Sequence, residues 1–439
     1  MSVKPKYNGI SEILNSHASR RQALKGAAAL GVVGPFVRSS HVAAQDASTV
    51  TWFAGRDTTG YTLQQVEAFN AENTELQINY QELGSTTTDL HDQFVTLAVA
   101  EDSTADIVSM DVPFVPEFAA AGWTIPVEDI LPADERDAFF GGTIDGAIYD
   151  GTLYAVPWFN NGPGLFYRAD LLEDAGIDPP TTYDDLVSAS NELQTEEVSG
   201  FVFQAAQTEG GLINWLEYLW GHGGELLDAD MNVILGEDEA GADALARLVG
   251  YIYDERISPE SCLTMAIAAD AENAFVSGQA VFLRSWMTAT SAMERDDSQV
   301  SGVWDVTTLP SQDGASAGPG CLGTWNLGIS AFSERPEEAA EVIRYLTSLE
   351  QQRARYLGNG NLPARSAVFE DEEVRAQYAY VDQLTPAFEA LKPRPVTPFY
   401  SQMSADALQP NFGAAMTRQK EPGQAVSDMA DAMRQILGT

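Results

Sequence analysis

Lysine is nearly missing from this chain. It occurs at Lys4, Lys6, Lys25, Lys392 and Lys420 only. Against 64 acidic residues stand 24 basic ones, for a formal net charge of −40. The acids are spread along the chain and not gathered in blocks. Such a surface repels itself at low ionic strength. At molar salt the Debye length falls to about 3 Å and the repulsion is screened. The composition therefore reads as adaptation to high salt, and a haloarchaeal source is expected. Without a basic patch, nucleic acid and anionic membrane surfaces are excluded as partners, since both need clustered cations. Cysteine is equally scarce. Cys262 and Cys321 have no metal-type spacing, and leave either one disulfide or two buried thiols. Of the four histidines, His91 and His222 stand alone and the other two precede residue 45. No segment reaches the ~20 apolar residues that cross a bilayer. There is no G-x-S-x-G elbow, H-E-x-x-H or P-loop. No catalytic residue, metal or cofactor is expected. A carboxylate pair for glycoside hydrolysis cannot be singled out where acids are everywhere.

What is present begins at the N-terminus. Ser19-Arg20-Arg21-Gln22-Ala23-Leu24-Lys25 has the form of a twin-arginine export signal. A small-residue apolar run from Ala27 to Val37 follows, then Val42-Ala43-Ala44 as a cleavage site. Residues 1–45 are therefore read as a leader, and the protein as exported to the cell surface or beyond.

The rest alternates strand-like and helix-like patterns. Thr49–Ala54, Leu76–Gln81 and Ala105–Met110 read as strands; Tyr61–Asn73 and Thr88–Ala100 read as helices. A Gly/Pro/Asn-rich turn region, Pro157–Gly164, interrupts, and a second α/β run follows. Pro336–Glu350 reads as one helix with proline in its first turn. Such alternation builds an α/β fold around largely parallel sheets. With 439 residues, two domains are expected. In these sheets ligands bind beyond the carboxyl ends of strands, which singles out Asp57 and Asp111. Aromatics at element ends, among them Trp286 and Trp325, offer plates on which sugar rings stack. Trp325 follows Gly320-Cys321-Leu322-Gly323-Thr324, whose glycines allow close approach of a ligand to the backbone. Trp215 and Trp220, on one apolar helix, read as core.

Several stretches resemble one family. They are Asp106–Trp123, Tyr149–Trp158, Gly164–Arg168 with Asp170–Leu172, Gly200–Gln204, Ala274–Phe282 and Leu322–Ser330, with a weaker tail match at Arg394–Tyr400. In this order they resemble family 1 extracellular solute-binding proteins, the sugar receptors of ABC importers, with the trehalose/maltose receptors nearest. The resemblance implies a two-lobed fold of the periplasmic-binding-protein type (type II), each lobe a sheet flanked by helices. Lobe 1 would span 46–160 and 308–352; lobe 2 would span 161–307 and 353–439. Crossings are expected near 158–163, 303–310 and 350–356. A sugar would lie between the lobes of a monomer, and the loaded form would dock on permease subunits.

The resemblance also assigns residues. Asp111 matches an acid that binds sugar hydroxyls. Trp286 and Trp325 match tryptophans that stack on sugar rings, and Arg365 matches an arginine that reaches the cleft. Asp57 lies about where relatives place a first-loop polar contact, and His91 near a relative's arginine. Phe159 and Asn161 stand where trehalose/maltose receptors usually carry Tyr and Asp. That departure removes a hydroxyl and a charge-assisted hydrogen bond, so a different sugar is implied. The ordinary alternatives are helix capping for Asp57 and Asp111, core packing for the tryptophans and a surface ion pair for Arg365. An extracellular carbohydrate-active enzyme and a receptor for a non-sugar solute stay open as rival functions.

Overall fold

The computed structural model describes residues 47–439 apart from Thr58 and Ser85. The export-signal reading lies outside the described residues.

Two sheets organise the chain. The first contains β1 (Ser48–Ala54), β2 (Leu76–Glu82), β3 (Ile107–Asp111), β4 (Val156–Phe159) and β9 (Trp325–Ile329), in the order β2-β1-β3-β9-β4. The second contains β5 (Pro163–Arg168), β6 (Ser199–Val202), β7 (Ala280–Trp286) and β8 (Trp304–Thr307), in the order β8-β5-β7-β6. The largely parallel arrangement expected from sequence holds for β1, β2 and β3, and for β6 beside β7. It fails elsewhere: β9 runs antiparallel to both β3 and β4, and β5 runs antiparallel to β7 and β8. The reason is topological. β9 reaches the first sheet directly from the second lobe, without the crossover that a parallel neighbour requires.

Each sheet carries its own core. In β1 the β-branched and aromatic residues alternate, and Val50, Trp52 and Ala54 turn inward. The Trp52 indole N–H donates to Ser109 Oγ at 2.9 Å, which satisfies its one polar atom. Central β3 is buried at all five positions. Around this sheet pack α1 (Tyr61–Glu72), α2 (Thr87–Val99) and α3 (Phe114–Ala120). Thr86 and Asp89 form a reciprocal capping box that starts α2. The second core gathers on α4 (Glu209–Gly221) and α5 (Ala240–Tyr253), with Trp215 and Trp220 inside it. Cys262 and Cys321 are both buried and free.

The region read as one helix over 336–350 is two, α6 (Pro336–Leu346) and α7 (Leu349–Asn359). Ser348 is extended, and its side chain accepts from Gln351 N–H, so a new helix begins where the old one stops. The turn region at 157–164 is mostly strand: only Asn160–Gly162 separate β4 of one sheet from β5 of the other. Asn160 secures this crossing. Its N–H donates to Leu362 O at 2.7 Å, and its side-chain oxygen accepts from Thr324 Oγ1 at 2.9 Å. The chain closes with α8 (Gln409–Met416) and α9 (Pro422–Leu437), which join the second core.

Candidate functional site

A cavity of about 550 Å³ lies between the two lobes. One wall is α2, with His91, Val95 and Val99, together with Phe114 and Glu117 of α3. The facing wall is the tail segment from Pro398 to Gln409, with Phe399 and Tyr400. This tail contains a π-helical stretch, Met403–Leu408, just before Pro410. Proline has no N–H to continue the α ladder and crowds the preceding turn, so a widened turn fits there.

Asp111, Arg394 and Glu209 meet in the cavity wall. Asp111 ends β3, and Glu209 opens α4 in the other lobe. Arg394 stands between Pro393 and Pro395, which favour an extended, stiff backbone. Its guanidinium donates from Nη2 to Asp111 Oδ1 at 2.5 Å and from Nη1 to Glu209 Oε1 at 2.8 Å. Glu209 also accepts from Tyr400 Oη at 2.9 Å and from Ser404 Oγ. Arg394 is 2% exposed. Burial works against its charge, but Asp111 and Glu209 outweigh it and hold the proton well above the usual arginine range. Asp111 Oδ1 also accepts from Val112 N–H at 2.8 Å.

His91 enters the same cavity from α2. Its Nε2 lies 3.0 Å from both Glu117 oxygens, and its Nδ1 lies 3.1 Å from Asp92. Burial would lower its pKa, yet the hydrogen bonds it donates to Asp92 and Glu117 push it up to about 9. Five carboxylates line the cavity, and its two bases, His91 and Arg394, each touch two of them. The wall is thus apolar and aromatic, with its positive charge already neutralised.

The expected aromatic residues form a second group next to Asp111, toward the crossing. Trp325 pairs in register with Asp111 on one side and Phe159 on the other. The rings of Phe159 and Trp325 stack with centroids 6.4 Å apart. Trp286 ends β7, beneath the Arg284 guanidinium at 4.4 Å. Gly323 lies against both Trp286 and Asn161: a Cβ there would come within 3.1 Å of the Trp286 ring and of Asn161 O. A side chain at that position would thus crowd the Trp286 ring and the Asn161 backbone. Asn161 Oδ1 is buried with no hydrogen-bond partner among the described residues.

Two expected residues point elsewhere. Asp57 accepts from Thr59 N–H at 2.8 Å, Thr59 Oγ1 at 2.6 Å and Thr62 N–H at 2.7 Å, so it organises the start of α1. Burial would raise its pKa; these bonds more than reverse that and lower it. Arg365 donates from Nε to Thr347 O at 2.8 Å, and its guanidinium lies 4.3 Å over the Phe139 ring. Both are therefore occupied locally, and neither lines the cavity; nor do Phe159, Asn161, Trp286 and Trp325, so that of the expected site residues Asp111 and His91 are the ones in its wall. The structure adds Arg394 and Tyr400, both within the weak tail match, and Glu209, which no sequence motif marked. It also adds Arg355, buried behind Phe159. Among the described residues no group of three or more His, Cys, Asp or Glu could hold a metal.

Residues 55–353, more than half of the chain, match the family described as bacterial extracellular solute-binding protein. The chain belongs to that family. It is 29% identical over 324 residues to a probable ABC transporter-binding protein of Deinococcus radiodurans, covering 70% of this chain and 74% of that one. Among solved structures it is similar to maltose-bound MalE3 of T. maritima, at 33% identity and a TM-score of 0.83, covering 88% of this chain and 99% of that one. A ribitol-bound solute-binding protein of Agrobacterium radiobacter K84 shares the fold at 21% identity and a TM-score of 0.79, covering 89% and 99%. The two sheets with their flanking helices are thus the two lobes of a periplasmic-binding-protein fold, and the cavity lies between them. Among the described residues, no helix is long and apolar enough to cross a membrane.

Proposed function

We propose that this solute-binding protein captures a neutral sugar, mono- or oligosaccharide, between its lobes and delivers it to the permease of an ABC importer. The observation that carries the reading is the interlobe cavity: aromatic walls for sugar faces, and carboxylates whose remaining lone pairs can accept hydroxyls. Trp286, Trp325, Phe159, Asn161 and Asp111 would contact the sugar, with His91 at the outer wall. Lobe limits of 46–160 with 308–352 and 161–307 with 353–439 go with this reading, as do a monomer, twin-arginine export and a working environment of high salt.

Two rivals are less well supported. A glycosidase needs one carboxyl free to protonate the leaving group and a second free to act as base or nucleophile, whereas Asp111 and Glu209 are both engaged by the one Arg394 guanidinium. A phosphorylated solute needs unspent basic groups, and both cavity bases are already engaged by carboxylates.

Calorimetry at molar salt against glucose, galactose, xylose, maltose, trehalose, sucrose and glycerol tests the proposal. Saturable heat is expected, with the sugar recovered intact. Cleaved sugar would make the protein an enzyme. Silence across the panel would send the search to non-sugar solutes.

A further inference from the structure

Among the described residues, Arg394 is the one side chain at the cavity that binds carboxylates from both lobes. Asp111 ends a strand whose neighbours Val108 and Met110 lie in the first core. Glu209 opens a helix whose Leu212, Ile213 and Trp215 lie in the second. Arg394 itself goes with the second lobe. Six residues further on, Tyr400 packs in that core and hydrogen-bonds the same Glu209. The Arg394–Glu209 contact is therefore made within one lobe, and the Arg394–Asp111 contact spans two. Both partners of the spanning pair are nearly free of solvent, at 2% and 7% side-chain exposure.

We propose that the Arg394–Asp111 pair is a positioning device that holds the lobes together at the cavity, so that opening the cleft requires this pair to separate. The proposal rests on the two-lobed receptor reading and goes beyond it. Its physical argument comes from the charge of the chain. Two strongly acidic lobes repel when they approach. Salt screens that repulsion at the surface, and a pair shut away from solvent is screened far less. The pair therefore supplies attraction at closure under the conditions where surface pairs contribute little. The direct contact also fixes Asp111. With Oδ1 committed to Arg394 and Val112, only Oδ2 remains to accept a ligand hydroxyl. Arg394 then acts on the ligand through Asp111.

Small-angle X-ray scattering of the full chain without sugar, at molar salt, tests this. Asp111→Asn removes the spanning ion pair while Arg394 keeps Glu209. Its radius of gyration is expected to exceed that of the wild type. Glu209→Gln removes only the contact within one lobe and is expected to scatter as wild type does. Circular dichroism checks that each variant is folded. Should Asp111→Asn unfold, Arg394→Lys carries the test, because lysine keeps the charge but cannot grip both carboxylates. The same expansion is then expected. Identical profiles for the wild type and the spanning-pair variant would overturn the proposal, and so would equal expansion in Glu209→Gln. Failure here leaves the sugar proposal standing, since no ligand enters the measurement; failure of the calorimetry leaves the scattering result standing.

Discussion

Two of the arginines buried near the cleft, Arg394 and Arg355, have their charges accommodated in opposite ways. Arg394 is gripped by two carboxylates. Arg355, on α7, has no carboxylate within ion-pair distance among the described residues. Its guanidinium lies 4.1 Å over Trp158 and 5.6 Å from the rings of Phe159 and Tyr61. Its polar contacts are neutral: Thr62 Oγ1 at 3.1 Å and Gln65 Oε1. Electrostatics separates the two. Arg394's proton is held above the ordinary range, while burial of Arg355 lowers its pKa to about 10. Ring faces and neutral oxygens attract a cation, but they do not replace a carboxylate. What differs is what depends on each charge. The buried Asp111 and the part-buried Glu209 need Arg394. Arg355 instead props the underside of Phe159 and the start of α1.

That difference predicts unequal costs of removal. Arg394→Met strands the buried carboxylate of Asp111 and removes a partner from the part-buried Glu209, and is expected to destabilise the fold by about 3–5 kcal/mol. Arg355→Met leaves only a hydroxyl and an amide oxygen unmet and is expected to cost roughly 1–3 kcal/mol. Urea denaturation at molar salt measures both. An Arg355→Met variant that loses as much as Arg394→Met would break the distinction.

His91 sharpens it, because it is a part-buried base held by carboxylates and belongs with Arg394. Its folded pKa of about 9 lies above the ordinary 6.5. A base with a raised folded pKa stabilises the native state fully below about pH 6.5. That contribution is lost as pH rises through about 9. The gain is at most about 3 kcal/mol, and less because Asp92 is half exposed and salt screens it. Stability measured from pH 6 to 10 should fall for the wild type and fall less for His91→Gln. Parallel curves would show that His91 is not held charged by Glu117 and Asp92.

The halves of this comparison were not equally legible in sequence. The aromatic side was readable because its residues sit at strand ends: Trp325 opens β9 and Trp286 closes β7, and alternation places such ends well. Asp111 was readable for the same reason. Arg394 was not. It lies outside any regular element, flanked by prolines, and its partners are 185 and 283 residues away. Periodicity carries no information at that range. Asp57 was placed correctly at a strand's end, but its role as an organiser of α1 depends on Thr59 and Thr62 turning back toward it. Arg365 was read from a motif alone, and its neighbour Phe139 could not be foreseen. The split into α6 and α7 turned on the Ser348 cap, a single side-chain bond.

The smallest expected effects compare a residue of the aromatic group with one the structure places outside it. Trp325 stacks on Phe159 beside Asp111. Removing such an anchor from a closed cleft costs roughly 1–2 kcal/mol, or about 5- to 30-fold in affinity. Arg365 lies over Phe139 and bonds the Thr347 carbonyl. Arg365→Ala should leave sugar affinity within about 0.5 kcal/mol of wild type, as for a substitution remote from the site. Calorimetry with whichever sugar of the panel binds measures both variants. An Arg365→Ala loss equal to that of Trp325→Ala would mean that Arg365 leaves Phe139 and swings into the cleft when ligand is bound, and the site would then need redrawing around it.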